Sequence, residues 1–166
     1  DEIFKKMLLD EAKISVALSH PNILKIFNIG KTPDNCFYLA MEFINGCNLW
    51  EIMKQLLDRK KKFPEVIAIQ IIAKILQGLG YAHALKDKNG QNLDIVHQDI
   101  NPPNIMISVD GRVKVADFGI AKAKNSVYNN RTDILKGKYS YMSPEQAGGK
   151  FVDKQTDIFA VGVVFW

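Results

Sequence analysis

Apolar residues recur at helical spacing near the start of the chain. Phe4, Leu8, Ile14 and Leu18, with Lys and Glu between them, predict a helix over residues 2–19. His20-Pro21-Asn22 ends it, because the residue before a proline is pushed out of the helical region. Residues 23–29 and 37–43 then read as two strands joined by the polar turn Lys31-Thr32-Pro33-Asp34-Asn35. Asn45-Gly46 breaks the second strand. Residues 49–62 form an amphipathic helical pattern, and Phe63-Pro64-Glu65 restarts the chain. Residues 66–85 predict a long helix so apolar that burial on most sides is expected. A polar turn region over 87–94 precedes strand-like pieces at 95–96, 105–107 and 113–115. Asp110-Gly111 between the last two is a hairpin signal. Residues 125–138 are polar and aperiodic and predict a long surface loop, a kind that is often functional. Helical character returns near Glu145 and again from Asp153. There is no internal repeat and no low-complexity segment.

Composition narrows the class without deciding it. The chain has 166 residues, enough to bury a core, and its mix of 47% hydrophobic and 24% charged residues is that of a globular domain. The net charge of +4 is spread along the chain apart from Arg59-Lys60-Lys61-Lys62, a run read as a solvated helix end rather than a nucleic-acid patch. Cys36 and Cys47 form no metal-ligand spacing, which fits a reduced, cytoplasmic setting. No stretch reads as a membrane span, and the apolar run over 158–166 is too short. Both ends read as cuts within a longer domain.

Three loops carry the candidate chemistry. They are His97-Gln98-Asp99-Ile100-Asn101-Pro102-Pro103-Asn104, then Asp117-Phe118-Gly119, then Ser143-Pro144-Glu145. Each string alone is weak. In this order, on strand-flanked loops, the set resembles the catalytic loop, metal-binding loop and activation-segment end of protein kinases. Further positions fit the resemblance. Glu11 lies where the family's small-lobe helix carries its glutamate. Met41-Glu42-Phe43-Ile44 is similar to the hinge that holds adenine through main-chain hydrogen bonds, and Asn48 falls at a ribose-contacting position. Residues 157–162 are similar to the start of the buried helix that anchors the catalytic loop. The segment 137–145 and the Asp110-Gly111 hairpin look most like bacterial kinases of the eukaryotic type, and lean toward serine/threonine specificity.

The resemblance implies a truncated two-lobed α+β fold. Residues 1–44 would be the remainder of a β-rich small lobe with one helix and the hinge, and residues 45–166 the first part of a mainly helical large lobe. It implies ATP and Mg2+ as cofactors and a protein hydroxyl as acceptor. Asp99 would orient and deprotonate that hydroxyl, and Asn104 and Asp117 would ligate magnesium, a hard ion that prefers oxygen donors. Gly119 would let the backbone turn after the metal ligand. His97 and Phe118 would pack the two loops in register, Asp157 would anchor them, and Glu145 would pair with an arginine downstream of Trp166. His20 and His83 read as structural.

Two substitutions depart from the family. The arginine that usually precedes the catalytic aspartate is Gln98, which cannot form a charged fork with phosphate, so activation should not strictly require loop phosphorylation. Ser126 and Thr132 remain candidate acceptors on that loop. The lysine expected two residues after the aspartate is Asn101. Lys138, where serine/threonine kinases carry a threonine, would either return the missing charge or point to solvent; in the first case Lys138→Thr should cut turnover roughly a hundredfold, and in the second leave it unchanged. The glycine-rich loop and the strand lysine would lie upstream of Asp1, so the isolated fragment is expected to fold poorly and to be inactive. The alternatives are a pseudokinase scaffold, favoured by Gln98 and Asn101, and a small-molecule phosphotransferase, disfavoured by Asp117-Phe118-Gly119 and Ser143-Pro144-Glu145.

Overall fold

The computed structural model describes residues 16–34, 36–118 and 139–166. The predicted helix at 2–19 is therefore described only at its end, where residues 16 and 17 are helical. The loop over 125–138 lies outside the described residues, as do Glu11, Gly119, Ser126, Thr132 and Lys138.

Strands β1 (Ile26–Lys31) and β2 (Phe37–Met41) form an antiparallel ribbon in which Ile26 faces Met41 and Lys31 faces Phe37. Both strands differ from the expected bounds. Residues 23–25 instead run along β5 (Val113–Val115): Leu24 donates to the Val115 carbonyl at 2.8 Å, and Val115 donates to Asn22 at 2.9 Å. Residues 42–45 leave β2 as an extended connection. The chain then enters β3 (Gly46–Asn48), which was not expected, because Gly46 reads as a strand breaker. Gly46 lies against the Ile107 carbonyl so closely that any Cβ would collide with it, which explains a glycine inside a pairing strand. β3, β4 (Ile105–Ser108) and β5 form an antiparallel sheet in that order. Asp110-Gly111 makes the β4–β5 turn as predicted, with Gly111 at φ +81°. Residues 95–96 form no strand.

Helix α1 (Leu49–Asp58) starts at a capping box: Asn48 Oδ1 accepts from the Glu51 N–H at 2.9 Å, and Glu51 Oε2 accepts from the Asn48 N–H at 3.1 Å. It ends four residues earlier than periodicity suggests. Lys60 adopts the left-handed conformation (φ 54°), and the Lys60 and Lys61 N–H groups close a Schellman pair on the Leu57 and Leu56 carbonyls at 2.9 and 2.8 Å.

Helix α2 (Glu65–His83) buries Ile71, Ile75, Gly78, Leu79 and Ala82 against β5 and helix α4 (Lys154–Phe165). Burial is confined to that face; Val66, Ile67 and Ile69 are exposed, contrary to the expectation of burial on most sides. By length and composition α2 is long and apolar enough to cross a membrane, which corrects the reading that no stretch approaches a span. Its core-facing stripe is that of a helix packed inside a protein. Short helix α3 (Pro144–Ala147) starts at a second capping box, Ser143 with Gln146. The core joins Leu18, Ile23, Leu49, Ile75, Leu79, Ile100, Ile105, Val115, Phe118 and Val161.

Candidate functional site

The candidate site is built where residues 97–104 cross between α2 and the β4–β5 hairpin. Two anchors fix this segment from below. Asp157, fully buried in the first turn of α4, accepts from the His97 N–H at 2.9 Å, the Gln98 N–H at 2.8 Å and His83 Nε2–H at 2.7 Å. A buried carboxylate needs such partners, and three donors converge on this one. His97 is also fully buried. Its Nε2–H donates to the Ala116 carbonyl at 2.8 Å, which leaves Nδ1 to accept from the Asp99 N–H at 3.2 Å. Its ring meets Phe118 edge-on, with centroids 4.6 Å apart. Both His97 and Phe118 are buried and pack against each other. Asp157 holds the backbone of residues 97 and 98, with His83 as a further partner.

Gln98 lies in the left-handed region at φ 64°, a conformation that is uncommon for a non-glycine residue. It is held there from both sides: its N–H binds Asp157, and its carbonyl accepts from Gln146 Nε2 at 2.7 Å. Gln146 therefore ties α3 to the backbone immediately before Asp99. No sequence pattern pointed to Gln146, because its partner is a main-chain carbonyl 48 residues away.

Asn101 and Asn104 converge on Asp99. Asn101 Nδ2 donates to Asp99 Oδ1 at 2.9 Å and to the Asp99 carbonyl at 3.0 Å. Asn104 Nδ2 donates to the same carbonyl at 2.8 Å and to Asp99 Oδ2 at 3.2 Å. Each carboxylate oxygen of Asp99 thus meets one side-chain amide. Asn101 also caps the 3-10 turn Pro102–Asn104, its Oδ1 accepting from the Asn104 N–H at 3.2 Å. The Ala116 N–H binds the Asn104 carbonyl at 2.8 Å, which links this turn to Asp117. Asp117 is half-buried and left-handed at φ 62°.

Other expected positions fall into place differently. Glu42 and Ile44 lie on the connection between β2 and β3. The Glu42 N–H donates to the Lys25 carbonyl at 2.9 Å, and its carboxylate pairs with Lys114 Nζ at 2.7 Å, a contact no sequence signal suggested. Asn48 Oδ1 is committed to the cap of α1; the Asn-x-x-Glu spacing was the signal for that cap. Glu145 accepts from the Thr156 hydroxyl at 2.8 Å. Its own N–H, then the Thr156 and Ser143 hydroxyls, hold its carboxyl below the usual carboxylate range. Burial pushes the Tyr141 phenol up. Tyr141 lines a small recess with Gln98, Asp99, Gln146, Thr156 and Asp157. A second cavity of about 610 Å³, lined by apolar residues of α1, α2 and the end of α4, includes none of Asp99, Asn101, Asn104 or Asp117.

A metal ion would find Asn104 Oδ1 and the Asp117 carboxylate. Among the described residues no group of three His, Cys, Asp or Glu side chains could hold an ion. The bonds from Asn104 Nδ2 to Asp99 leave its oxygen as the ligating atom.

Comparison with known proteins agrees with this geometry. The chain is 42% identical over 161 residues to a tyrosine-protein kinase, MasK, of Myxococcus xanthus, covering 96% of this chain and 25% of that protein. It is 36% identical over 166 residues to the serine/threonine-protein kinase PrkC of Bacillus subtilis, covering all of this chain and 24% of that one. The crystal structure of the Mycobacterium tuberculosis PknI kinase domain superposes with a TM-score of 0.70 at 26% identity, covering 99% of this chain and 56% of that domain. The chain therefore spans about a quarter of the length of these curated relatives. The family profile described as "Protein kinase domain" matches residues 1–166, and the chain belongs to that family.

Proposed function

We propose that this chain is the central part of a serine/threonine protein kinase that moves the γ-phosphate of ATP to a protein hydroxyl. The observation that carries the proposal is the Asp99 carboxylate held by the amides of Asn101 and Asn104, on a loop fixed by Asp157. An acceptor hydroxyl donates to Asp99 and is aimed at phosphorus. Its oxygen forms the new O–P bond while the bond to the ADP leaving oxygen breaks, and Asp99 takes the proton. Asn104 Oδ1 and Asp117 would hold magnesium, which when bound neutralises charge on the phosphates. Glu42 and Ile44 would meet adenine through their main chain. Asn48, whose oxygen caps α1, would offer its Nδ2 to the ribose. Residues 1–44 would then belong to the small lobe and hinge, and residues 45–166 to the large lobe.

Asn101 acts in this reading on Asp99 and not on phosphate, so the positive charge at the reacting centre comes from elsewhere, with Lys138 as the candidate. Gln146 holds the left-handed Gln98 without any phosphate, which supports activity independent of loop phosphorylation. A tyrosine acceptor is the second reading, supported by the name of the Myxococcus relative.

The test uses the full-length protein, magnesium, labelled ATP and a mixed protein substrate, beside Asp117→Ala. Transfer that vanishes in the variant supports the kinase, and the identity of the labelled amino acid separates the two acceptor readings. Absence of transfer from a folded, complete protein would leave a pseudokinase scaffold, the reading that Gln98 and Asn101 favour.

A further inference from the structure

Among the described residues, Glu42 and Lys114 form a part-buried ion pair to which the proposed phosphoryl transfer gives no role. Glu42 Oε1 lies 2.7 Å from Lys114 Nζ, with side chains only 19% and 9% exposed. The two residues are 72 positions apart. Charges this far out of water are costly unless hydrogen bonds complete them, and both are completed. The same Glu42 oxygen accepts from the Lys25 N–H at 2.6 Å, and Lys114 Nζ also reaches the Ile23 carbonyl at 3.4 Å.

What the pair joins is informative. On one side, Glu42 and Lys25 form a ring: the Glu42 N–H binds the Lys25 carbonyl, and the Glu42 carboxylate binds the Lys25 N–H. This ring sets the start of the connection through Ile44. On the other side, Lys114 sits in the middle of β5, three residues before Asp117. Residues 22–24 run along the same strand by backbone hydrogen bonds. The ion pair is thus a cross-brace between the proposed adenine-holding connection and the strand that delivers the proposed metal ligand.

We propose that Glu42–Lys114 is a positioning pair that fixes the separation of the hinge and Asp117, so that base and metal-bound phosphates are gripped as one ligand. This rests on the nucleotide-site reading given above. The paired side chains would touch neither base nor phosphate; they act through the backbone on either side, including the Glu42 main chain proposed to meet adenine. Removing it leaves each half-site intact but lets their spacing relax. A ligand that uses only the hinge should barely notice. A ligand that uses both ends should lose affinity.

The test measures dissociation constants for adenosine and for ATP with Mg2+, by calorimetry on the full-length protein, in wild type, Lys114→Met, Glu42→Gln and the double variant. Thermal unfolding checks that each variant folds; if Lys114→Met does not, Lys114→Gln carries the same comparison. Lys114→Met is expected to weaken Mg·ATP about tenfold, within the range of couplings between contacting residues, while adenosine changes less than about twofold. The double variant should be no weaker than the worse single variant. Equal losses for adenosine and Mg·ATP, multiplying defects, or unchanged Mg·ATP binding would each overturn the pair's role. A wild type that binds no Mg·ATP would instead remove the nucleotide-site reading itself.

Discussion

Replacing Asn101 separates two ways a residue at that position can serve the reaction. Asn101→Ala removes three hydrogen bonds at once. The cap of the 3-10 turn, Asn104 N–H to Asn101 Oδ1 at 3.2 Å, is a contact whose loss costs about 1 kcal/mol. The bond from Nδ2 to Asp99 Oδ1 at 2.9 Å reaches an ionised acceptor, and such bonds contribute about 1.5–3 kcal/mol. The third, to the Asp99 carbonyl, shares its donor with the second and adds little of its own. Because all three belong to one side chain their effects overlap, and a stability loss of about 2–4 kcal/mol is expected. The carboxylate of Asp99 then loses one of the two side-chain amides that hold it, keeping that of Asn104. A general base misplaced by about 1 Å can cost on the order of a hundredfold in rate, so kcat should fall between tenfold and a hundredfold with a smaller change in KM for ATP. Asn101→Lys is the sharper experiment. It restores the cation usual in the family but removes the cap acceptor. At 7% exposure, the site also has no room for a longer chain unless Asp99 moves or the lysine swings out. Turnover below wild type is expected. Steady-state kinetics on the full-length protein, with thermal unfolding alongside, gives both quantities. Turnover at or above wild type for Asn101→Lys, or wild-type stability and kcat for Asn101→Ala, would refute the positioning role.

Two further outcomes follow from the anchors. Asp157→Asn keeps the shape but turns one acceptor into a donor facing N–H groups. Losing two charge-assisted bonds should destabilise the domain by about 3–5 kcal/mol, read by denaturant unfolding, and a loss under about 1 kcal/mol would contradict the triple-donor anchor. His20 is held below its ordinary pKa by burial first and then by the Lys114 and Lys74 charges. Its folded state therefore favours the neutral ring, whose Nδ1 accepts from the Asn22 N–H at 3.1 Å. Its contribution to stability is present above the unfolded value near about 6.5 and is lost as pH falls below it. Denaturation midpoints between pH 7.5 and pH 5 should fall less steeply for His20→Asn than for wild type; parallel curves would remove the effect.

Local rules carried much of the fold into the sequence. The existence of helix α2 and the Asp110-Gly111 turn were legible because each is decided by residues within one turn or one loop of each other, whereas the single buried face of α2 was not. The errors arose where distant backbone decided instead. Gly46 breaks a strand by propensity, yet it opens β3 because the Ile107 carbonyl admits no Cβ there. Residues 23–25 look like the start of β1 but are captured by β5. The end of α1 follows from a left-handed Lys60, a conformation its side chain does not advertise. At the candidate site, Asp99, Asn104 and Asp117 were proposed from their motifs and the family resemblance, and the structure brings Asn104 onto Asp99. The roles of Gln146 and Lys114 were not, since each acts on a partner 48 or 72 residues away.

Of the two departures from the family pattern, Asn101 has a physical logic in its side chain, and Gln98 contributes through its backbone. At residues 98 and 101 the chain carries amides where a cation is usual. An amide both donates and accepts, so one side chain can close a local network that a lysine or arginine, having no acceptor, cannot. Asn101 uses both functions, capping with its oxygen and holding Asp99 with its nitrogen. Gln98 contributes its backbone to Asp157 and Gln146. Orientation of Asp99 is therefore supplied by neutral groups, and it should survive high salt that would weaken a surface ion pair. Charge neutralisation is a separate requirement of phosphoryl transfer, and no amide meets it. In the proposed reaction a loop built this way would separate two tasks: Asn101 and Asn104 would orient Asp99 toward the hydroxyl, while positive charge would be supplied by a metal at the proposed ligands Asn104 and Asp117 and by Lys138, the proposed donor.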